Sequence, residues 1–470
     1  MAALDVLIWL AAGITRELML FAAVGLLIGG IDDLAIDLLY LVRSGWRSAV
    51  VYRRHRAATA ESLPPPDRPG RLAIFIGAWD ESGVIAAMLR AALARLDHGD
   101  YRIYVGVYPN DPATIAAVRH VRRHAAGGRR VRMVSGALAG PTTKAEALNR
   151  LWRAMLVDEA REGVPVKAIV LHDAEDVVHP CELRVFDRLI ERFDLVQLPV
   201  LPLIVPGSRW VSGHYCDEFA EAHGKQLVVR EALGAGMPSA GVGCAISRAA
   251  MQGMADRAGG RPFDAASLTE DYEMGLRLGD HGGRGVFVRL PAAAGRGPVA
   301  IRAYFPATID TAVRQKARWM TGIALAGWVR LGWRGGLAER WMRLRDRRAV
   351  LAAIVLAAAY AGLVCAAATF ALCFAIGRPM PEVPPLLQGL TAINAGLMLW
   401  RALVRFVMVR ATYGWREGLR AIPRMLVANL IAMMAARRAV AAYVRSGRPG
   451  GAAVPWDKTS HAFPTILPAE

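Results

Sequence analysis

Cysteine and lysine are scarce in this 470-residue chain, and each scarcity excludes something. The five cysteines, Cys181, Cys216, Cys244, Cys365 and Cys373, form no CxxC pair and are odd in number. Neither a disulfide scaffold nor a structural zinc site is expected, and the thiols read as reduced and cytosol-facing. Only five of the 58 basic residues are lysines, so arginine carries the formal charge of +18. Many of these arginines flank apolar runs, and the centre of the chain lacks the basic stripe interleaved with aromatics that a nucleic-acid binder needs. The charge is read as facing an anionic membrane surface or anionic substrates, and no nucleic-acid partner is expected. No HExxH spacing, GxSxG elbow or GxxxxGK[ST] loop occurs, and the fragment Gly241-Val-Gly243 lacks the strand and helix that would make it a dinucleotide fingerprint.

What is abundant is apolar. Hydrophobic residues make up 54% and glycine adds 46 more, an apolar-plus-glycine share of roughly 61% against about 45–50% in an ordinary soluble protein. The excess sits at the two ends. Segment 1–43 reads as an N-terminal membrane helix with no basic region ahead of it, so not as a signal peptide. Its uninterrupted apolar stretch, 18–31, is shorter than the roughly 20 residues a span needs. Reaching that length draws in Asp32, Asp33 and Asp37, which should therefore face protein or a wet cavity rather than lipid. A basic, proline-rich linker follows at 44–70, and its Arg47, Arg53, Arg54 and Arg56 mark a cytoplasmic side.

From residue 71 short β-type runs (71–76, 101–107, 131–134, 168–172) alternate with helical segments (81–96, 112–123, 144–162), the mark of an α/β sheet. This unit is expected to occupy 71–310, with ligands beyond the carboxyl ends of its strands. Segment 311–348 reads as Trp-rich interfacial helices. Segment 349–445 reads as a membrane region of two spans, 349–377 and one running from 386 past Arg401 towards 409, plus an interfacial helix. The last apolar run, 425–436, is too short to cross. The remainder, 446–470, reads as a cytoplasmic tail.

Three clusters of polar residues stand where chemistry is possible. His172-Asp173-Ala174-Glu175-Asp176 closes a predicted strand, and its acids suit Mg²⁺ or Mn²⁺ as well as they suit a solvated turn. Thr269-Glu270-Asp271 opens a predicted helix, where acids are favoured anyway and where one carboxylate could take a proton from a hydroxyl. Gln315, Arg318 and Trp319 share one helical face, which fits an interfacial anchor or a site with a phosphate fork and a sugar platform. Trp79-Asp80-Glu81 and Asn110-Asp111-Pro112 end the first two strands, where they also suit helix starts.

Taken in order, these acids, Lys144, the Asp-x-acid turn, Thr-Glu-Asp and Gln-x-x-Arg-Trp, followed by membrane helices, resemble family 2 glycosyltransferases of the membrane polysaccharide-synthase type, such as cellulose and hyaluronan synthases. The runs His172 to Pro180 and Trp456 to His461 are similar to a subgroup, the bacterial phage-adsorption B proteins of the inner membrane. The resemblance implies an α/β GT-A (nucleotide-diphospho-sugar transferase) domain with flanking transmembrane and interfacial helices. It assigns Asp80, Glu81, Asp111, Lys144, Asp173, Gln315 and Arg318 to the nucleotide-sugar. Asp271, with Glu270, becomes the catalytic base, and Trp319, Gly241 and Gly243 fall to the acceptor. Asp173 with Glu175 or Asp176 takes Mg²⁺ or Mn²⁺; most relatives have aspartate where this chain has Glu175, so the second metal ligand stays open. Trp456, Lys458, Thr459 and His461 resemble a gating segment. With the sequence ending at residue 470, no further C-terminal regulatory domain is expected.

The expected activity is inverting transfer of a sugar from a UDP-sugar donor to a glycan or lipid-linked acceptor, in cell-envelope or exopolysaccharide synthesis. The expected setting is multi-pass in the bacterial inner membrane, with the catalytic domain cytoplasmic, in contact with membrane lipids and with an outer-membrane export partner. The alternative is a catalytically degenerate scaffold of the same fold in envelope assembly or phage adsorption.

Overall fold

Leu72, Ala73, Ile74, Phe75 and Ile76 are apolar without alternation, as a strand covered on both faces must be. In the computed structural model, which describes residues 2–445 and 461–464, they form the centre of β1 (Arg71–Gly77). The other strands are β2 (Tyr101–Val107), β3 (Val131–Ser135), β4 (Val166–His172), β5 (Leu195–Gln197), β6 (Cys244–Ser247) and β7 (Gly285–Phe287). Their order in the sheet is β3-β2-β1-β4-β6-β5-β7. β1 runs parallel to β2 and β4, with Phe75 paired to Tyr104 on one side and Leu171 on the other. β6 is antiparallel to both β4 and β5, which makes the sheet mixed.

The Ile85–Arg95 and Pro112–His124 helices bury one face of the sheet, through residues such as Met88, Leu89 and Val118. The Lys144–Glu162 helix and the Arg248–Arg257 helix cover the other with Leu148, Trp152 and Met251. Local chemistry marks the starts. Asp111 caps the Pro112–His124 helix by accepting from Thr114 N, and Thr143 caps the Lys144–Glu162 helix by accepting from Glu146 N. The helix expected from residue 81 begins only at Ile85, because Asp80 takes φ 53° and the chain turns before entering it. Glu81 therefore stands in a loop at the carboxyl end of β1.

Among the described residues, four helices are long and apolar enough to cross a membrane, by length and composition: Val6–Arg54, Ala349–Ala375, Pro385–Tyr413 and Trp415–Arg445. The acids of the first face protein. Asp32 accepts from Trp341 Nε1 at 2.6 Å and Arg348 Nη1 at 2.5 Å, and Asp33 from Arg348 and Arg401, both at 2.5 Å. Asp37 pairs with Lys225 and accepts from Trp400 Nε1 at 2.9 Å.

The apolar run 425–436 lies inside a continuous helix of 31 residues, longer than the run itself suggests. That helix packs on the Pro385–Tyr413 and Ala349–Ala375 helices as well as on the Val211–Glu221 and Ile309–Trp319 helices. Buried Arg424 donates to Asp217 at 2.7 Å, while Ile431, Ala435 and Ala439 pack with Tyr215, Ala312, Val313 and Ala317.

Candidate active site

The topology places the carboxyl ends of β1 and β4 side by side, since these strands are paired neighbours. Asp173 follows β4 directly. Its loop is pinned from below by His172, fully buried between two carboxylates: Nδ1 lies 3.0 Å from Asp176 Oδ2 and Nε2 lies 2.8 Å from Glu182 Oε1. Burial opposes the charge on His172, yet Glu182 and Asp176 outweigh it and push the imidazolium up to about 10, so both nitrogens donate. Asp176 Oδ2 also accepts from the backbone N of Asp173 at 3.0 Å. Asp176 thus braces the loop, and the Asp173 carboxylate faces outward onto Lys144, 2.5 Å from Oδ1 to Nζ.

Lys144 sits at the mouth of the crevice because Thr143 caps its helix there. Burial alone would lower its pKa, but the carboxylates of Asp173, Asp271 and Glu270 hold it well above the usual lysine range. Glu270 and Asp271 open the Glu270–Asp280 helix. Burial pushes the Glu270 carboxyl up to about 7, with the charge of Asp271 adding to it and Lys144 opposing. Asp271 is raised for the same reason, burial against Lys144. Its position is crowded: Gly241, at φ 75°, approaches so closely that a Cβ there would overlap the Asp271 carboxylate.

The third cluster arrives on the Ile309–Trp319 helix, started by a reciprocal Thr308–Thr311 capping box. The chain continues in helical form through Met320–Ala326, where a Cβ on Gly322 would stand 2.5 Å from Thr269 Oγ1. Gly322 thus lets the helix after Gln-x-x-Arg-Trp lie directly on the Thr-Glu-Asp turn. One cavity of about 790 Å³ is shared by Glu81, Lys144, Asp173, Glu175, Asp176, Glu270, Asp271, Gln315, Arg318, Trp319 and His461. Two polar atoms on its wall, Gln315 Oε1 and Thr269 Oγ1, are buried without a hydrogen-bond partner. Buried polar atoms are normally paired, so these two are exceptions beside the cavity.

Glu81, Glu175 and His461 form a further group, their candidate ligand atoms all within 4.8 Å of one another. His461 Nδ1 is 2.9 Å from Glu81 Oε1 and 3.4 Å from Glu175 Oε2. Burial pushes Glu175 up to about 8; His461 counters it, and Asp173, Asp176 and Glu81 reinforce it. Two carboxylates and an imidazole form a donor set that fits a divalent cation.

Some expected site residues stand elsewhere. Asp80 and Asp111 do not line the cavity; Asp111 Oδ2 accepts from Asp80 N at 2.6 Å and so braces the turn carrying Glu81. Gly241 and Gly243 contribute close backbone approach, to Asp271 and Ile301 respectively. Trp456, Lys458 and Thr459 lie outside the described residues. Tyr304, Phe305 and Arg438 line the cavity and were not singled out from the sequence. The aromatic pair Tyr304-Phe305 before Pro306 was the available signal, lost because no periodic element surrounds it.

A family model described as glycosyltransferase like family 2 matches residues 69–322. The chain is 38% identical over 469 residues to "Bacteriophage adsorption protein B" of Escherichia coli (strain K12), covering 94% of this chain and 62% of that protein. The same figures hold for "Bacteriophage N4 adsorption protein B" of Escherichia coli O157:H7. The chain therefore spans less than two thirds of the length of these curated relatives. Among solved structures, "Mannosyltransferase PcManGT from Pyrobaculum calidifontis in complex with GDP-Man and Mn2+" matches with a TM-score of 0.56 at 15% identity, over 89% of this chain and 99% of that one. The mixed sheet and its flanking helices are thus a GT-A-like fold.

Proposed function

The chain belongs to the glycosyltransferase-like family 2, and from that premise we propose that it is an inverting, inner-membrane enzyme moving a sugar from a UDP-sugar to a glycan or lipid-linked acceptor. The observation that carries this reading is the meeting of Lys144, Asp173, Asp271, Arg318 and Trp319, far apart in sequence, around one cavity. Asp271 takes the proton of an acceptor hydroxyl, whose oxygen attacks the anomeric carbon from the face opposite the diphosphate. The bond from that carbon to the diphosphate oxygen breaks, UDP departs with the electron pair, and the configuration inverts. Arg318 and Gln315 hold the diphosphate, and Trp319 offers its ring to the acceptor sugar. Lys144, paired with Asp173, keeps positive charge beside the nucleotide.

The acids at the ends of β1 and β4 fit a divalent cation, Mg²⁺ or Mn²⁺, with Glu175 and Asp173 as its holders. Such an ion neutralises charge on a departing diphosphate. Support comes from the fold neighbour, a mannosyltransferase in complex with GDP-Man and Mn²⁺.

The catalytic domain is read as cytoplasmic. The arginines following the first span support this, as does the seating of the Trp415–Arg445 helix. That helix touches the catalytic domain at Arg424 near one end and lines the cavity through Arg438 and Ala442 near the other. Read as lying along the interface, this helix leaves three of the four candidate spans.

The test is incubation of purified protein with Mn²⁺ or Mg²⁺ and single UDP- or GDP-sugars, reading nucleoside diphosphate release and product mass. Release and a mass gain of one or more hexose units with a UDP-sugar support the proposal. Transfer only from a GDP-sugar would replace the donor. Neither metal-dependent nucleotide binding nor transfer across the panel would favour the degenerate scaffold.

A further inference from the structure

We propose that Phe219, His223 and Gln226 form a subsite for an uncharged sugar residue of the acceptor, in which His223 Nε2 donates a hydrogen bond to a sugar oxygen. The inference deepens the function proposed above and rests on its sugar-bearing acceptor.

The place of these residues follows from the order of the strands. Along one edge of the sheet the neighbours run β1, β4, β6, β5, β7. The ends of β1 and β4 carry Glu81 and Asp173. The turn entering antiparallel β6 carries Gly241, which lies against the Asp271 carboxylate. Beyond β5 and β7 stands His223, bonded to Val200 N and edge-on to the Phe287 ring at 5.7 Å. Crossing this edge therefore leads from the nucleotide side, past the base, to His223.

Ring contacts join His223 to Trp319. Centroids lie 6.2 Å apart from Trp319 to Tyr215, 5.1 Å from Tyr215 to Phe305, and 5.0 Å from Phe305 to Phe219. Phe219 in turn stacks on His223 at 5.0 Å. Val242, one residue after Gly241, packs with Phe219 and Phe305. Gln197 fixes that loop, accepting from Ala240 N at 2.8 Å and donating to Val242 O at 3.0 Å. The half-buried rings of Phe219 and Phe305 line the cavity and offer apolar surface to the C–H face of a sugar.

His223 supplies a donor of fixed direction. Its Nδ1 accepts from Val200 N at 3.0 Å, so the neutral ring carries its hydrogen on Nε2. Burial pushes its pKa down to about 3, which keeps the ring neutral at working pH. Nε2 has no partner among the described residues, and His223 lines the cavity. It sits in a turn of π-helix, Ala222–Gln226, a widening that recurs at functional sites. Gln226, on the same wall, makes no side-chain hydrogen bond among the described residues.

These groups also set the charge of the ligand. Phe219, His223, Gln226 and Phe305 are all neutral, and Arg230, one turn further on, is held by Asp346 at 2.7 Å. A sugar carboxylate here would lose water without gaining a cation.

The experiment uses the full chain in detergent or nanodiscs with UDP present. Di- to pentasaccharides of the gluco-, manno- and chito-series, and of galacturonate, are the probes, read by saturation-transfer-difference NMR. A neutral series should bind, with galacturonates weaker by about tenfold or more. His223→Asn keeps an oxygen to accept from Val200 N but has no donor at the place of Nε2. It should weaken binding about three- to tenfold while melting with the unmodified protein, which loss of a purely structural bond would not do. Gln226→Leu, which breaks no bond within the described residues, should weaken the same probe. In transfer assays both variants should raise the acceptor KM and leave the donor KM within about twofold. Unchanged affinity in His223→Asn, or in Gln226→Leu should His223→Asn fail to fold, overturns the subsite, as does a preference for galacturonate. If UDP binds and no neutral oligosaccharide does, the subsite falls and the donor site stands. Failure of the unmodified protein to bind UDP is the separate failure of the reading above.

Discussion

At Asp271 the environment, rather than the residue type, sets the chemistry. Burial raises its carboxyl while Lys144 works against that rise. A base must be unprotonated, so transfer should fall as pH drops through the raised value, and the acid limb of kcat/KM should lie above the about 4 of a free aspartate. A pH profile measured with a saturating cation and a fixed acceptor checks this; a limb at or below pH 4 would contradict it. Asp271→Asn should lower kcat by on the order of 10²- to 10⁴-fold while UDP affinity stays within a few-fold, read by UDP release and by calorimetry. Turnover near that of the unmodified protein would remove Asp271 from the mechanism. The residue types at this scale were legible: acids after strands and a Gln-x-x-Arg-Trp helix can be read directly. Which oxygen points where was not, and Asp111 shows why. It looks like a ligand in the sequence, yet one oxygen caps a helix and the other holds the Asp80 amide.

The Glu270–Asp280 helix owes its place to two contacts in which glycine is required. A Cβ on Gly275 would lie 2.5 Å from both Met237 O and Ser239 N, backbone atoms that cannot turn aside. Gly275→Ala should therefore cost on the order of 1–3 kcal/mol, visible as a lower melting temperature, and should reduce transfer by shifting Asp271. On the same helix, Gly279→Ala meets only Gly236 Cα at 3.5 Å, ordinary contact, and should melt within a degree or two of the unmodified protein. Equal behaviour of the two variants would mean that the helix is not pressed against 237–239. Element length decided what could be read. β1, β2 and β4 are seven residues each and carry unbroken apolar runs, whereas β5 and β7 are three residues each, too short to show a pattern.

Over the whole molecule, the acids of the first apolar helix join it to the Leu337–Arg347 helix, to Lys225 and to the Pro385–Tyr413 helix. Asp33 is shared by Arg345, Arg348 and Arg401. Asp33→Asn removes the carboxylate that pairs with Arg401 and leaves Arg345 and Arg348 with Asp32, and should lower stability in detergent by on the order of 1–3 kcal/mol, measured by thermal melting. On the three-span reading proposed above, the turn before Pro385 would face the periplasm and the tail would share the side of the catalytic domain. Met380→Cys should react with a membrane-impermeant maleimide in intact spheroplasts, while a C-terminal fluorescent fusion should light up in the cytoplasm. Labelling only after lysis, or a dark fusion with an active periplasmic reporter at the same site, would reverse the topology. The apolar run at 425–436 hinted at an interfacial helix but not at its 31-residue length, because its docked face is built from small residues and buried arginine rather than an apolar stripe.

Local pattern alone determined the α/β alternation, the apolar ends, the family and the polar motifs that meet at the cavity, because those features are written in neighbouring positions. Period, caps and short motifs need no partner to be recognised. Tertiary structure decided the rest. It chose which acids became braces and which faced the cavity, it laid the last helix along the catalytic domain, and it brought Glu81, Glu175 and His461 to one point. Such meetings depend on how strands order themselves in a sheet and on where a distant segment docks, and neither is encoded in the spacing of adjacent residues.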